Sequence, residues 1–395
     1  MHDFFSQVLA PYSIASFFSA YHEQDILHIP RNDAAFYSNI LTPEEISAYL
    51  DRQDLFYPSV RMVDKGSEIP QQHYTKNQVP IGHHKRDGLI DTEKAFSLFN
   101  SGSTLVIQAG QRYFENLSRC CLDLSNRFGS PVQANLYITP QKSVGFNPHW
   151  DTHDVFVLQI TGTKTWKLYG FEKELPTVNQ KFSSKNYQKE PLHTVQLKPG
   201  DFLYVPRGYV HDAMSDDGIS SHITIGILSY TWIRFFHELM PQLENFREFR
   251  KAVPFWDSEN LPQMIAEKLK VLSEKIPVLN PQPVVEKLRK NQLQRQPQPV
   301  RNYFQSLLDL NAVEENTVFV LNDAVVYSAR EDEGQFKISF LDKTIAVPVR
   351  FKAVIEAALN KKKFSTKDFG EEHPDNLLKI FKLMVKEGLI HIQKN

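Results

Sequence analysis

The stretch NPHWDTHDVFVLQITGTKTWKLYG, from Asn147 to Gly170, sets a histidine, a carboxylate and a lysine among strongly β-forming residues. His149 and Asp151 are two apart, so in an extended segment both side chains point the same way and make a two-toothed metal ligand. Metal binding needs a third group. His211 follows FLYVP and the turn Pro206-Arg207-Gly208, and it can supply that group. Two histidines and one carboxylate on two strands form the facial triad of non-haem Fe(II) centres, which leaves coordination positions open for co-substrate and oxygen. In a chain with 14 histidines a lone His-X-Asp is a weak motif. It gains weight here because both halves of the triad lie at strand ends in one β-rich region.

In KTWKLY, Lys164, Trp166 and Leu168 share one strand face, and Thr165, Lys167 and Tyr169 the other. If the Trp and Leu face is internal, an ammonium is buried among apolar groups, at a cost of several kcal/mol unless a counter-charge is present. A bound carboxylate would supply it. The competing reading puts Lys164 at the strand's first residue, snorkelling to water. Asn135, Tyr137 and Thr139 likewise alternate with Ala134, Leu136 and Ile138, which ordinarily marks a solvent-facing polar edge. In a barrel whose cavity holds a dicarboxylate the same face can point inward, and Thr224 in HITIGIL is a similar candidate.

These residues need a scaffold, and the sequence between about 132 and 227 supplies one. Short β-like runs, VQANLYIT, DVFVLQI, KTWKLY, HTVQL, FLYVP and HITIGIL, are separated by turn residues, a rhythm of sandwiches and barrels. Lys198-Pro199-Gly200-Asp201 carries a type II turn signal. Upstream, LTPEEISAYLDRQDLF is helical in pattern, with Thr42 as N-cap answered by Glu45. Residues 62 to 91, including His83 and His84, read as polar loop, and a helix covers about 111 to 127.

Downstream, TWIRFFHELM, PQMIAEKLKVLSEKI and VVEKLRKNQLQ read as helices, and RQPQPV, Arg295 to Val300, as a linker. A last unit contains a helix near 301 to 310, strands in TVFVLNDAVVYSA and QFKISFLD, and two helices. Gly388 closes the second of them before a short LIHIQ strand. Lys361-Lys362-Lys363 is read as a solvated helix end favoured by the dipole and not as a nucleic-acid site. No repeat of fixed period is found.

Composition narrows the class. With 395 residues the chain is long enough for two or three units. Its 45 Lys plus Arg balance 46 Asp plus Glu, which argues against a polyanion or a membrane surface as the main partner. Adjacent Cys120 and Cys121 are the only cysteines and make a poor structural disulfide, so a reducing cytosol is expected. Asp3 and Pro11 speak against a signal peptide, and no window reaches the roughly 18 apolar residues of a membrane span.

With the triad and the strands in hand, the chain resembles the JmjC-type ribosomal oxygenases, a branch of the cupin-fold Fe(II)- and 2-oxoglutarate-dependent dioxygenases. The likeness runs through ANLYITPQKSVGFNPHWD, FVLQITGTKTWKLY and GDFLYVPRGYVHDA, in order and over about 100 residues. It implies an α+β chain: a double-stranded β-helix core with N-terminal helices over 1–232, a helical dimerisation region and linker over 233–300, and a winged-helix domain over 301–395. It makes His149, Asp151 and His211 the iron ligands. Lys164 would take the distal carboxylate of 2-oxoglutarate, helped by Tyr137 and Thr224, with Asn135 near the other end. Oxygen as second co-substrate would give succinate, carbon dioxide and a hydroxylated side chain.

The resemblance implies a cytoplasmic homodimer acting on a protein or peptide, a histidine or arginine of a ribosomal protein first of all. Asn147 and Trp150, where eukaryotic members would have Ala and Tyr, and Val106, where some members carry a basic residue tied to substrate contact, are departures that bear on the substrate and not on the iron. The alternatives are a hydroxylase of another peptide or a free amino acid, and a non-catalytic cupin or nucleic-acid-binding protein. Demethylation of methyl-lysine is less favoured, since no chromatin-reading module is evident.

Overall fold

A computed structural model describes residues 3–183, 187, 189–295, 302–322, 325–341, 343–370 and 374–393. The chain divides into two compact units, Met1–Arg295 and Gln296–Asn395.

Ten strands frame the first unit: β1 (Leu27–Ile29), β2 (Val60–Asp64), β3 (Thr104–Ile107), β4 (Val132–Thr139), β5 (Asp154–Thr161), β6 (Lys164–Phe171), β7 (His193–Leu197), β8 (Phe202–Val205), β9 (Tyr209–Ser215) and β10 (Ser220–Ile227). A large antiparallel sheet runs β1-β8-β5-β10-β4-β3-β2, with the two-residue strand Ser67–Glu68 at its edge; a small sheet runs β7-β6-β9. Alternation along β5 shows how they close. Val155 and Val157 join Trp166, Leu168, Leu203 and Ala213 in an apolar layer drawn from both sheets. Phe156, Leu158 and Ile160 face the other way, into the main core beneath the helices. The two sheets thus enclose an interior, as in a double-stranded β-helix.

Helices cover the outer face of the large sheet. The short helices α1 (Phe4–Leu9) and α2 (Ile14–Ala20) bring Phe5 and Phe17 onto Phe156, and Phe128 at the end of α4 (Glu115–Phe128) completes the ring cluster. Between them α3 (Pro43–Leu50) starts with the expected capping box of Thr42 and Glu45. Gly129, at φ +60°, takes the left-handed conformation that ends α4.

The six strands expected from alternation are present, but β1, β2, β3 and β9 are additional. Each owes its place to a partner strand more than to its own pattern: β9, YVHDAMS, mixes polar and apolar residues and is held by its ladder with β6. The polar segment 62–91 is also less of a loop than its composition suggests. Thr75–Lys76 pairs with Leu89–Ile90, and Val79–Ile81 with His84–Arg86, so His84 sits in an exposed hairpin strand. The turn at Lys198–Asp201 forms as expected, with Gly200 at φ +93° and Asp201 N–H donating to the Lys198 carbonyl at 2.9 Å.

Still within this unit, α5 (Trp232–Leu239), α6 (Leu261–Lys275) and α7 (Gln282–Arg295) follow the sheets. Leu239, Leu279, Val284 and Leu288 form their small core. The expected linker at Arg295 to Val300 lies, beyond Arg295, outside the described residues.

The second unit contains α8 (Tyr303–Asp309), β11 (Phe319–Leu321), β12 (Tyr327–Asp332), β13 (Gln335–Phe340), β14 (Lys343–Pro348), α9 (Lys352–Lys361), β15 (Lys363–Phe364), α10 (Pro374–Glu387) and β16 (Ile390–Ile392). Two three-stranded sheets, β15-β11-β16 and β12-β13-β14, share a core built on Phe319, Phe336, Ile355, Phe364 and Phe381. Strand β14, which the sequence reading did not anticipate, pairs along its whole length with β13. In the basic run, Lys361 Nζ pairs with Asp368 at 3.3 Å.

The turn before β9 sets the height of His211. Gly208 has φ +85°, and a Cβ there would stand 1.9 Å from the Lys173 carbonyl oxygen. Its N–H donates to the Asp151 carbonyl at 3.0 Å. Gly208→Ala is therefore expected to cost about 2–4 kcal/mol of stability from backbone strain and overlap. A urea unfolding midpoint indistinguishable from that of the parent would contradict this account of the turn.

Candidate metal centre

His211 is the third residue of β9, whereas His149 lies in an extended segment ahead of β5 and not in a regular strand. The two are joined by an isolated antiparallel bridge. His149 N–H donates to the His211 carbonyl at 3.0 Å and His211 N–H to the His149 carbonyl at 2.8 Å. That exchange brings the imidazole centroids to 4.5 Å. Asp151, two residues on, places Oδ2 3.7 Å from His211 Nε2. One ligand atom from each of His149, Asp151 and His211 lies within 4.8 Å of the others.

The donor set suits a divalent metal. His149 Nδ1 lies 2.8 Å from the Asn147 carbonyl and His211 Nδ1 lies 3.0 Å from that of Tyr209. A carbonyl only accepts, so each Nδ1 carries the proton and each Nε2 presents its lone pair, the arrangement that fixes metal-ligating histidines. Burial, with His149 beside it, pushes His211 down to about 4. Burial pushes Asp151 up, but His153, His149 and His211 outweigh it and hold the carboxyl below its usual range. Near neutral pH this pair is therefore deprotonated, as metal binding requires.

These residues line one end of a cavity of about 430 Å³. Asn135, Tyr137, Lys164 and Thr224 line it too, so the polar faces of β4 and β10 point inward and not to solvent. Lys164 does not snorkel: it is 2 % exposed and donates to Thr139 Oγ1 at 3.1 Å. No carboxylate pairs with it among the described residues, and burial pushes its ammonium down to about 7. Asn135 Oδ1 accepts from Ala109 N–H at 3.0 Å and Gln133 Nε2 at 3.2 Å, which leaves its Nδ2 to donate.

Sequence reasoning missed two neighbours, Arg61 and His222. Arg61 on β2 lines the cavity because the ladder sets it opposite Val106, so a guanidinium stands one strand away from that apolar position. Its Nε donates to Gln108 Oε1 at 3.0 Å and its Nη1 meets Glu68 at 3.2 Å. Nothing local in the sequence announces it. His222 also lines the cavity, and here a signal existed: it is two residues before Thr224 on the same strand face. His153 packs over Gly226, where a Cβ would come within 3.1 Å of the ring.

Trp150, between two candidate ligands, has a packing reason. It is buried and meets Phe182 edge-on at 6.0 Å, from which ring contacts run through Tyr187 to Tyr169. Tyr169 Oη then donates to Asp212, next to His211, at 2.5 Å.

Comparison with known proteins places this geometry. Residues 109–235 match the JmjC domain family. The chain is 30% identical over 261 residues to the bifunctional lysine-specific demethylase and histidyl-hydroxylase NO66 of Aedes aegypti, covering 63% of this chain and 39% of that one. It is 29% identical over 261 residues to ribosomal oxygenase 1 of Rattus norvegicus, covering 63% and 42%. The chain thus spans less than half the length of these curated relatives. In fold it is similar to the Escherichia coli ribosomal oxygenase YcfD, solved with cobalt and succinic acid: TM-score 0.54, 14% identity, 97% of this chain and 99% of that one.

One divalent ion, tested as Co(II) or Mn(II), is expected to bind per chain. Alanine at His149, Asp151 or His211 should weaken binding by more than the roughly 10- to 100-fold that an outer-sphere partner is worth. Alanine at the exposed His83 should not. Equal affinity in the His149 and His83 variants, measured by calorimetry, would remove the triad from the metal site.

Proposed function

We propose that the protein is an Fe(II)- and 2-oxoglutarate-dependent dioxygenase that hydroxylates a protein side chain, a histidine or arginine of a ribosomal protein in the first instance. The observation that carries this reading is one cavity with a two-histidine, one-carboxylate cluster at one end and, at the other, a buried lysine that has no carboxylate partner among the described residues. Iron, 2-oxoglutarate and oxygen, when bound, would supply the oxidising chemistry for inserting oxygen into a C–H bond. The chain's own part is positional. His149, Asp151 and His211 would hold the metal. Lys164 would neutralise the distal carboxylate, with Tyr137 and Thr224 alongside and Asn135 toward the metal end. The apolar layer of Val155, Trp166 and Ala213 limits water in the interior.

The finer organisation belongs to the same proposal. We assign 1–232 to the catalytic domain, 233–300 to a helical dimerisation region and 301–395 to a winged-helix domain, in a cytoplasmic homodimer. Trp232 at the boundary, with Ile233, Phe255, Trp256 and Leu269 on the helical region, is among apolar side chains 59–81% exposed, of the kind that a second copy covers. Among the described residues no helix is long and apolar enough to cross a membrane.

Three measurements test the proposal. Light scattering should give twice the 45.7 kDa chain mass, and Trp232→Asp with Trp256→Asp should shift it to a monomer; a monomeric parent protein would end the dimer reading.

The co-substrate itself is the second. Burial pushes Lys164 down to about 7, so below that pH it is charged and above it neutral. A bound dicarboxylate favours the charged form, so binding at pH 8 should take up close to one proton and at pH 6 almost none. Affinity for 2-oxoglutarate then falls as pH rises above about 7. Calorimetry in buffers of different ionisation enthalpy reads this directly, and an absence of proton uptake at pH 8 would defeat the buried-ammonium argument.

Third, mass spectrometry of the host's ribosomal proteins with and without this gene should show one peptide that loses a one-oxygen increment. Unchanged ribosomal proteins would move the substrate to another peptide.

A further inference from the structure

Next to Lys164 on the cavity wall lies a second buried polar side chain. His222 is 4 % exposed, and its Nδ1 is enclosed with no hydrogen-bond partner among the described residues. Its ring is held on two sides: it stacks on Tyr137 at 5.2 Å with an interplanar angle of 10° and meets Trp166 edge-on at 5.6 Å. Register explains the stack, since His222 stands directly opposite Tyr137 across the β10–β4 ladder. Leaving a buried polar nitrogen unmade costs about 1–3 kcal/mol, and an apolar ring would pack there without that penalty. Phe at this position would be the cheaper choice for the fold alone.

Burial, and then the neighbouring Lys164, pushes His222 well below the ordinary histidine range. A neutral imidazole keeps one N–H to donate and adds no second cation beside the ammonium. We propose that His222 is a ligand-positioning residue whose ring N–H donates to the distal carboxylate of the bound dicarboxylic acid, dividing that anion with Lys164. The inference rests on the 2-oxoglutarate reading above and deepens it. Lys164 alone is a point charge on a flexible stem; a wedged imidazole adds a direction. Together they would favour a carboxylate of one reach from the metal over shorter keto acids.

The test uses the full chain loaded with Mn(II), titrated calorimetrically with 2-oxoglutarate and, separately, with 2-oxobutyrate, which lacks the distal carboxylate. His222→Phe keeps the aromatic wedge and removes the N–H. His222→Asn and His222→Gln lose the ring but keep an amide donor near one or other ring-nitrogen position. The expected result is a tenfold or greater loss of 2-oxoglutarate affinity in the Phe variant, less loss in at least one amide variant, and no change in 2-oxobutyrate affinity for Phe.

Retention of full 2-oxoglutarate affinity by the Phe variant would show that the ring serves packing alone and overturn the inference. So would equal losses for both acids. Thermal melts of all three variants separate misfolding from weakened binding, and the Phe variant, which preserves the packing, carries the decision if the amide variants unfold. If the parent protein itself binds no 2-oxoglutarate, the proposed function fails first, and that outcome is distinct from a Lys164-dependent affinity indifferent to His222.

Discussion

The site depends on the two backbone hydrogen bonds exchanged between His149 and His211. The chain between β4 and β5 has little regular structure, and that bridge, with the Gly208 N–H bond to the Asp151 carbonyl, fixes His149 and Asp151 relative to β9. Each histidine also uses its Nδ1 on a carbonyl two residues earlier in its own segment. Backbone geometry alone therefore sets both the separation of the rings and the nitrogen each one presents. The small sheet carries this order to the far end of the cavity. In the β9–β6 ladder His211 lies opposite Leu168, and Lys164 lies opposite Ser215. The metal cluster and the ammonium are thus two ends of one ladder, a separation that side-chain motion cannot readily alter.

Such an interior is costly to build. Lys164, His211, His222 and Thr139 are all buried, and unpaired polar groups in a low-dielectric interior lower stability by kcal/mol amounts each. The strands offset this on their opposite faces. Ile223, Ile225 and Ile227 alternate with His222, Thr224 and Gly226 on β10, and the isoleucines enter the large helix-covered core. Phe156 on β5 sits in a cluster with Phe5, Phe17, Phe128, Phe202 and Tyr204. The N-terminal helices thus serve the site at a distance: they supply apolar burial on one side of the sheet that allows the other side to remain polar and ready for an anion.

What was legible in the sequence was local. Alternation in VQANLYIT, KTWKLY and HITIGIL located the strands and identified their two faces, and the Trp and Leu beside Lys164 indicated the interior. What it left open was which face was which, because polar alternation reads the same on a solvent edge and on a cavity wall. Partners distant in sequence were not legible at all. Arg61 enters the cavity through a ladder with β3, and β9 is a strand because β6 makes it one. His222 stood in plain view, but an isolated histidine in an apolar run reads first as core. Trp150 could not be explained before its contact with Phe182 was seen, since the two are brought together by a fold and not by a motif.

A second set of ligand-like groups shows why proximity alone does not make a metal site. His22, Glu23 and Asp154 also gather closely enough to suggest one, but their carboxylates are already committed. Glu23 receives Arg207 Nη2 at 2.5 Å and Nε at 3.1 Å. Asp154 accepts from Tyr204 Oη at 2.9 Å and Arg207 N–H at 3.3 Å, and Tyr204 Oη in turn accepts from Glu23 N–H at 2.9 Å. A cation placed among them would compete with a buried guanidinium whose loss would strand Glu23. The network is better understood as a clamp. Arg207 lies in the turn whose next residue, Gly208, donates to the Asp151 carbonyl. The N-terminal segment, through Glu23, thereby fixes the turn from outside while Asp151 fixes it from inside. The height of β9, and with it the position of His211, is set by an ion pair that is not part of the metal cluster itself.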